Sequence, residues 1–222
     1  MFHFFKRKPK EQVSYPKFWE SYQSLFVKEN LPISQVRFVV FDTETTGFNY
    51  ANDRILSIGA VDITNNRIDL KNAFEIFLEQ ETFNPQAVSI HGIIKHHKYT
   101  KYKEEQGIEL FVNYIGNAVL VGHHIGFDVK MINAALERMN LPVLKNKTID
   151  TNTLFKRTKI INPLLHNDRN YSLDDICNEL NIKMHDRHNA AGDSLLTALA
   201  FLKLKAKLLK DKKEPALSSL LR

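Results

Sequence analysis

The sequence predicts an α/β fold built on one mixed sheet with flanking helices. Three observations carry this. Val36 to Thr43 is apolar on both faces, as in a central strand covered from either side. Two further strand-like runs, Ile55–Ile63 and Arg67–Leu78, follow closely, with "TNNR" as the turn between them. After that, helical and strand-like stretches alternate, the pattern of an α/β layer structure.

The elements follow in order. Residues 1–15 read as a basic arm. Pro16 is suited to begin a helix, and Phe18, Trp19, Tyr22, Leu25 and Phe26 fall at helical spacing, so Leu25 and Phe26 are expected to face a core. "NLPISQ" links this helix to the main domain. The first three strands should form an antiparallel meander. A helix is expected over Glu105–Tyr114, a short strand at "AVLVG", and a helix over Phe127–Met139 with Val129, Ile132 and Leu136 on one side. Pro142 closes that helix. "TIDT" is a last short strand, residues 151–159 are helical and "NPLLHNDRN" is a loop. Ser172 opens another helix, with Asp175 three residues on as a capping-box acid. Asn189 is a good N-cap for the last helix, which runs to about Lys210 and frays into a lysine-rich tail. The expected division is an arm and short helix over 1–35, a main domain over 36–205 and a tail over 206–222.

Composition narrows the class. The chain has 222 residues, 43% of them hydrophobic, enough for a core of ordinary size. One cysteine, Cys177, excludes an internal disulfide framework. No stretch approaches the roughly 20 apolar residues of a membrane span, and "MFHFFKRKPK" lacks the apolar run of a secretory signal. A soluble cytoplasmic protein is expected. The formal charge is +6, but it belongs to the ends: Lys6, Arg7, Lys8 and Lys10 at the start, six lysines and an arginine in the last 22 residues. Such tails are either solvated charge runs or non-specific attractors of nucleic acid.

The chemistry-bearing residues begin at the end of the first strand. Asp42 and Glu44 are two residues apart, so in an extended chain they point the same way, about 6–7 Å apart. Like charges so close repel. A divalent ion between them resolves the conflict, and hard ions such as Mg²⁺ or Mn²⁺ take carboxylate oxygens. A polar strand end capped by its own turn is the plainer alternative. Asp128, in "GHHIGFDVKMI", and Asp193, in "RHNAAGDSLLTALAF", each begin a helix, where an acid also favours the helix dipole. His188 precedes Asp193 by five residues. Within one helix the two would stand about 140° apart. His188 therefore fits better in the preceding loop, leaning over the same site as a neutral base.

These residues resemble the DEDDh family of 3′–5′ exonucleases. The order D-x-E at Asp42 and Glu44, then Asp128, then H-x₄-D at His188 and Asp193 matches over roughly residues 36–201. "FDTETTG", the "HG" of "VSIHGI", the "FD" at Asp128 and "HNAAGD" match as well. The likeness is strongest to the proofreading epsilon type of bacterial DNA polymerase III. The resemblance implies a ribonuclease-H-like sheet of three antiparallel strands followed by parallel ones. It implies two divalent cations held by Asp42, Glu44, Asp128 and Asp193, with His188 as general base and nucleoside 5′-monophosphates as products. Thr45, Thr46, Ile90 and His91 would contact the terminal nucleotide. His124 stands where family members often carry Asn, which puts the hydrogen bonding behind Asp128 in doubt. The pairs His123–His124 and His96–His97 lack the partner spacing of a zinc site.

"KHHKYTKYK", residues 95–103, offers lysines and tyrosines, Lys95 and Lys98 first among them, that would steer a strand and stack its bases, or form a solvated loop. Single-stranded DNA is the expected substrate. An RNA-trimming enzyme and a non-catalytic nucleic-acid binding module are the alternatives. A DNA polymerase subunit is a candidate partner, and "KDKKEPALSSLLR" would either dock on it or fray. "YQSLF" only loosely resembles a sliding-clamp peptide.

Overall fold

The computed structural model describes residues 14–27, 32–80, 100–159, 169–185, 187–213 and 215–221. Its centre is a six-stranded sheet in the order β4-β3-β2-β1-β5-β6. The strands are β1 (Phe38–Thr45), β2 (Ile55–Thr64), β3 (Arg67–Leu78), β4 (Lys101–Tyr102), β5 (Val119–Gly122) and β6 (Thr148–Asp150). The first three form the expected antiparallel meander, and β5 and β6 add to β1 in parallel. Asn65 and Asn66 turn the β2–β3 hairpin at φ 53° and 60°, the left-handed pair that a tight hairpin requires and that asparagine tolerates. The two-residue β4, parallel to β3, was not legible in the sequence because so short a strand has no period to read.

The helices are α1 (Lys17–Ser24), α2 (Glu104–Ile115), α3 (Gly126–Arg138), α4 (Thr151–Thr158), α5 (Leu173–Glu179) and α6 (Ala190–Leu209). Strand alternation divides them between two cores. Val39 and Phe41 of β1 pack with α1, α2 and α3, while Phe38 and Val40 pack with α4, α5 and α6. Phe41 meets Phe111 at 5.1 Å between ring centroids, and Phe38 meets Phe201 at 5.0 Å. The full capping box predicted at Ser172 and Asp175 is present, and the Asn189 side chain accepts from Gly192 N at 2.7 Å. Among the described residues no helix is long and apolar enough to cross a membrane.

Two expectations change. Helix α1 ends at Ser24, and Leu25 is 45% exposed. Trp19 and Tyr22 fill the core instead, with Phe26 packed beside Tyr22. The C-terminal segment neither frays nor reaches outward among its described residues. Leu220 is buried against the second core, and Arg157 donates to the carbonyls of Ser219 and Leu220.

Candidate active site

The period of two along β1 builds the site. Val39 and Phe41 face one core, so Thr43 continues on that side. Phe38 and Val40 face the other, so Asp42 and Glu44 continue toward α6. Helix α6 starts against the sheet and carries Asp193 in its first turn. Carboxylate oxygens of Asp42, Glu44 and Asp193 lie within 4.8 Å of one another, close enough to share one metal ion. On the other side, Thr43 donates to Asp128 Oδ1 from its backbone nitrogen at 3.0 Å and from its hydroxyl at 2.7 Å. Thus one strand end gathers acids from α3 and α6, which are distant in sequence.

The donor set suits a hard divalent cation: oxygens only, three carboxylates, no histidine or cysteine among the described members. The electrostatics agree. Burial, then the charges of Asp128, Glu44 and Asp193, push the Asp42 carboxyl well above the usual carboxylate range, and Arg187 pulls against that. Burial, then Asp193 and Asp128, push Glu44 up to about 7. Asp128 is also raised by burial, although the two Thr43 hydrogen bonds favour its charged form. Acids held this far from their ordinary values are short of positive charge.

A pH prediction follows. Glu44 binds its proton more tightly folded than unfolded between pH 4.5 and about 7, so its contribution is full below 4.5 and is lost as pH rises through about 7. Asp42 and Asp128 act in the same direction. A divalent ion displaces these protons. The rise in Tm produced by Mg²⁺ or Mn²⁺ over EDTA is therefore larger at pH 8 than at pH 5. An equal rise at both would contradict the assignment. His123, pushed down to about 4 by burial and then by His124, destabilises the fold as pH falls below about 6.5. It does so with or without metal and cancels in that difference.

His188 lies in the turn before α6, as expected, exposed and with φ 65°. Its backbone N–H donates to Asp193 Oδ2 at 3.3 Å, so the main chain at His188 is tied to one acid of the cluster. Thr45 is half-buried and donates to Gly47 O at 2.8 Å. Thr46 is buried; its hydroxyl donates to Asp53 Oδ1 at 2.8 Å and accepts from Arg54 N at 3.0 Å. Thr46 therefore braces the loop after β1. Ile90, His91, Lys95, Lys98 and the His96–His97 pair lie outside the described residues.

Among the described residues, His123 and His124 belong to no group of three that could hold a metal ion. His123 Nδ1 is 3.1 Å from Thr151 Oγ1, and its Nε2 is buried without a partner. His124 takes φ 56°, the left-handed region where asparagine is common, and its N–H donates to Asp150 Oδ1 at 3.3 Å. Its position is thus a backbone requirement that histidine meets here.

Three further features were missed in the sequence. Asp53 organises the loop by accepting from Thr46 and Asn49 N. Phe48, 83% exposed, sits four residues past Glu44 and leans on Phe127, next to Asp128. Arg187 donates to both Asp174 and Asp193. Phe48 had a signal, an aromatic beside an acid motif; Asp53 and Arg187 had none outside their tertiary partners.

A family model described as Exonuclease (RNase_T) matches residues 39–201. The chain belongs to the RNase T exonuclease family. This family member is 33% identical over 181 residues to the DNA polymerase III subunit epsilon of Buchnera aphidicola subsp. Acyrthosiphon pisum, covering 77% of this chain and 73% of that protein. It is 34% identical over 180 residues to the PolC-type DNA polymerase III of Caldanaerobacter subterraneus subsp. tengcongensis, but spans 12% of that protein's length. Among solved structures, E. coli exonuclease I in complex with a dT13 oligonucleotide superposes with a TM-score of 0.64 at 19% identity, over 81% of this chain and 42% of that one. Exonuclease X in complex with 5′ overhanging duplex DNA gives 0.59 at 22%, over 84% and 98%. These neighbours share the ribonuclease-H-like fold expected from the sequence.

Proposed function

We propose that this exonuclease-family chain is a metal-dependent 3′–5′ exonuclease. It trims single-stranded DNA ends to nucleoside 5′-monophosphates in proofreading or repair. The observation that carries this is the grouping of Asp42, Glu44 and Asp193 within 4.8 Å, with the backbone N–H of His188 bonded to Asp193. Bound there, one or two divalent cations, Mg²⁺ or Mn²⁺, would supply positive charge to the phosphodiester and acidify the attacking water. Asp42, Glu44 and Asp193 are the direct holders. Asp128, fixed by Thr43, acts through water. His188 accepts the proton of the attacking water from its exposed position in the turn. Thr45 lines the approach to the acids. The similarity to the epsilon subunit supports a DNA substrate and association with a polymerase subunit, which co-purification with the polymerase would check.

The test is incubation with 5′-labelled single-stranded DNA and RNA, in Mn²⁺ or EDTA. A ladder on DNA that EDTA abolishes is expected. Cleavage of RNA alone would move the substrate to RNA, and a shifted but uncut band would leave a binding module.

Phe48 gives a second test of the same reading. An exposed ring four residues past Glu44, packed on Phe127, is a stacking face for a base, and such stacking is worth about 1–3 kcal/mol. Phe48→Ala is expected to raise KM for single-stranded DNA about tenfold while leaving Tm unchanged, since the ring is 83% exposed. An unchanged KM would remove Phe48 from the binding path.

A further inference from the structure

Arg187 joins carboxylates from two helices. Its Nε donates to Asp174 Oδ1 of α5 at 2.6 Å, and its Nη1 donates to Asp193 Oδ1 of α6. The other oxygen of Asp193 accepts the His188 N–H. One dipeptide, Arg187–His188, therefore engages both oxygens of an acid that belongs to the metal-capable group. The guanidinium is 21% exposed and Asp193 12%, so this pair is only partly screened, whereas Asp174 at 48% lies toward solvent.

We infer that Arg187 is the resident counter-cation of the acid cluster and a positioning residue for metal loading, competing with the divalent ion for Asp193 Oδ1. This rests on the metal-dependent reading above. A guanidinium and a dication on the same carboxylate oxygen repel each other, so occupancy by one disfavours the other. Asp174 gives Arg187 a second partner to keep when it leaves Asp193. The arrangement limits repulsion among Asp42, Glu44 and Asp193 before metal arrives, at the expense of metal affinity. It also links loading to His188, because the residue that lets go of Asp193 is the one preceding the base.

The competing explanation is a clamp that merely ties α5 to the start of α6. The two differ in metal affinity. The measurement is Mn²⁺ binding to the metal-free protein without nucleic acid, read from loss of the free-ion electron paramagnetic resonance signal. Wild type, Arg187→Gln and Asp42→Ala are compared. Arg187→Gln is expected to bind Mn²⁺ roughly tenfold more tightly, the order of one charge-assisted hydrogen bond. A mere clamp would lower Tm and leave Mn²⁺ affinity unchanged or weaker, and that result overturns the inference. Should Arg187→Gln not fold, Arg187→Met serves. It removes the charge and keeps an unbranched, adaptable side chain, so it too should bind Mn²⁺ more tightly, and wild-type affinity in it overturns the inference. If wild type shows no Mn²⁺ binding that Asp42→Ala removes, the metal reading itself fails and the role of Arg187 goes with it.

Discussion

Replacing Asp42 by alanine, or Asp193 by asparagine, is expected to yield a folded protein whose exonuclease rate is lower by several orders of magnitude. Both residues sit in the three-carboxylate group at the end of β1. Metal-derived charge stabilisation is worth several kcal/mol, and each 1.4 kcal/mol is about tenfold in rate. The fold should survive because burial and three acids act against the charge of the Asp42 carboxyl, with Arg187 the opposing charge among the described residues. Removing Asp42 should raise Tm in EDTA and abolish the Tm increase produced by Mn²⁺. Circular dichroism, thermal unfolding and turnover on labelled DNA check all three. Wild-type turnover in either variant would take that residue out of the site. His188→Asn should cost less, about 10²–10⁴-fold, the range of a lost general base.

The second large effect concerns a residue with no chemistry. Gly59 pairs directly with Asp42 in the β1–β2 register. A Cβ at Gly59 would lie 2.2 Å from the carbonyl carbon of Ala190 and 2.3 Å from Ala191 N. Both are backbone atoms at the start of α6, so no side chain can swing away. The helix rests on a bare strand there, and this contact brings Asp193 next to Asp42. Gly59→Ala must push the start of α6 outward. Overpacking of this kind costs about 1–3 kcal/mol or more, roughly 2–12 °C in Tm for a domain of this size. The kinetic cost is larger, because a misplacement of about 1 Å in a reacting constellation costs about 10²-fold. Thermal unfolding and kcat measure both. A variant with wild-type Tm and kcat would mean that α6 does not depend on this contact.

Gly59 also shows where sequence reading stops. It sits in "ILSIGAVDIT", and nothing local distinguishes a glycine that admits a helix from one that merely weakens a strand. Arg187 was overlooked for a similar reason: its meaning lies in Asp174, 13 positions earlier, and Asp193, six later. Helical spacing assigns Leu25 to a core face, yet the helix ends before it. The sequence leaves "KDKKEPALSSLLR" to dock on a partner or fray, whereas its described end packs against this chain through Leu220 and Arg157.

By itself the sequence determined the three-strand meander, the helices after it, the capping box at Ser172 and the N-cap at Asn189. These follow from periods of two and 3.6 residues and from motifs that are local along the chain. Only the tertiary structure decided which acids share a centre: Asp42 and Glu44 meet Asp193 on one face of β1, while Asp128 is held by Thr43 from the other. The physical reason is that convergence depends on how closely α6 packs on β2, a contact between segments about 130 residues apart that leaves no trace in local periodicity.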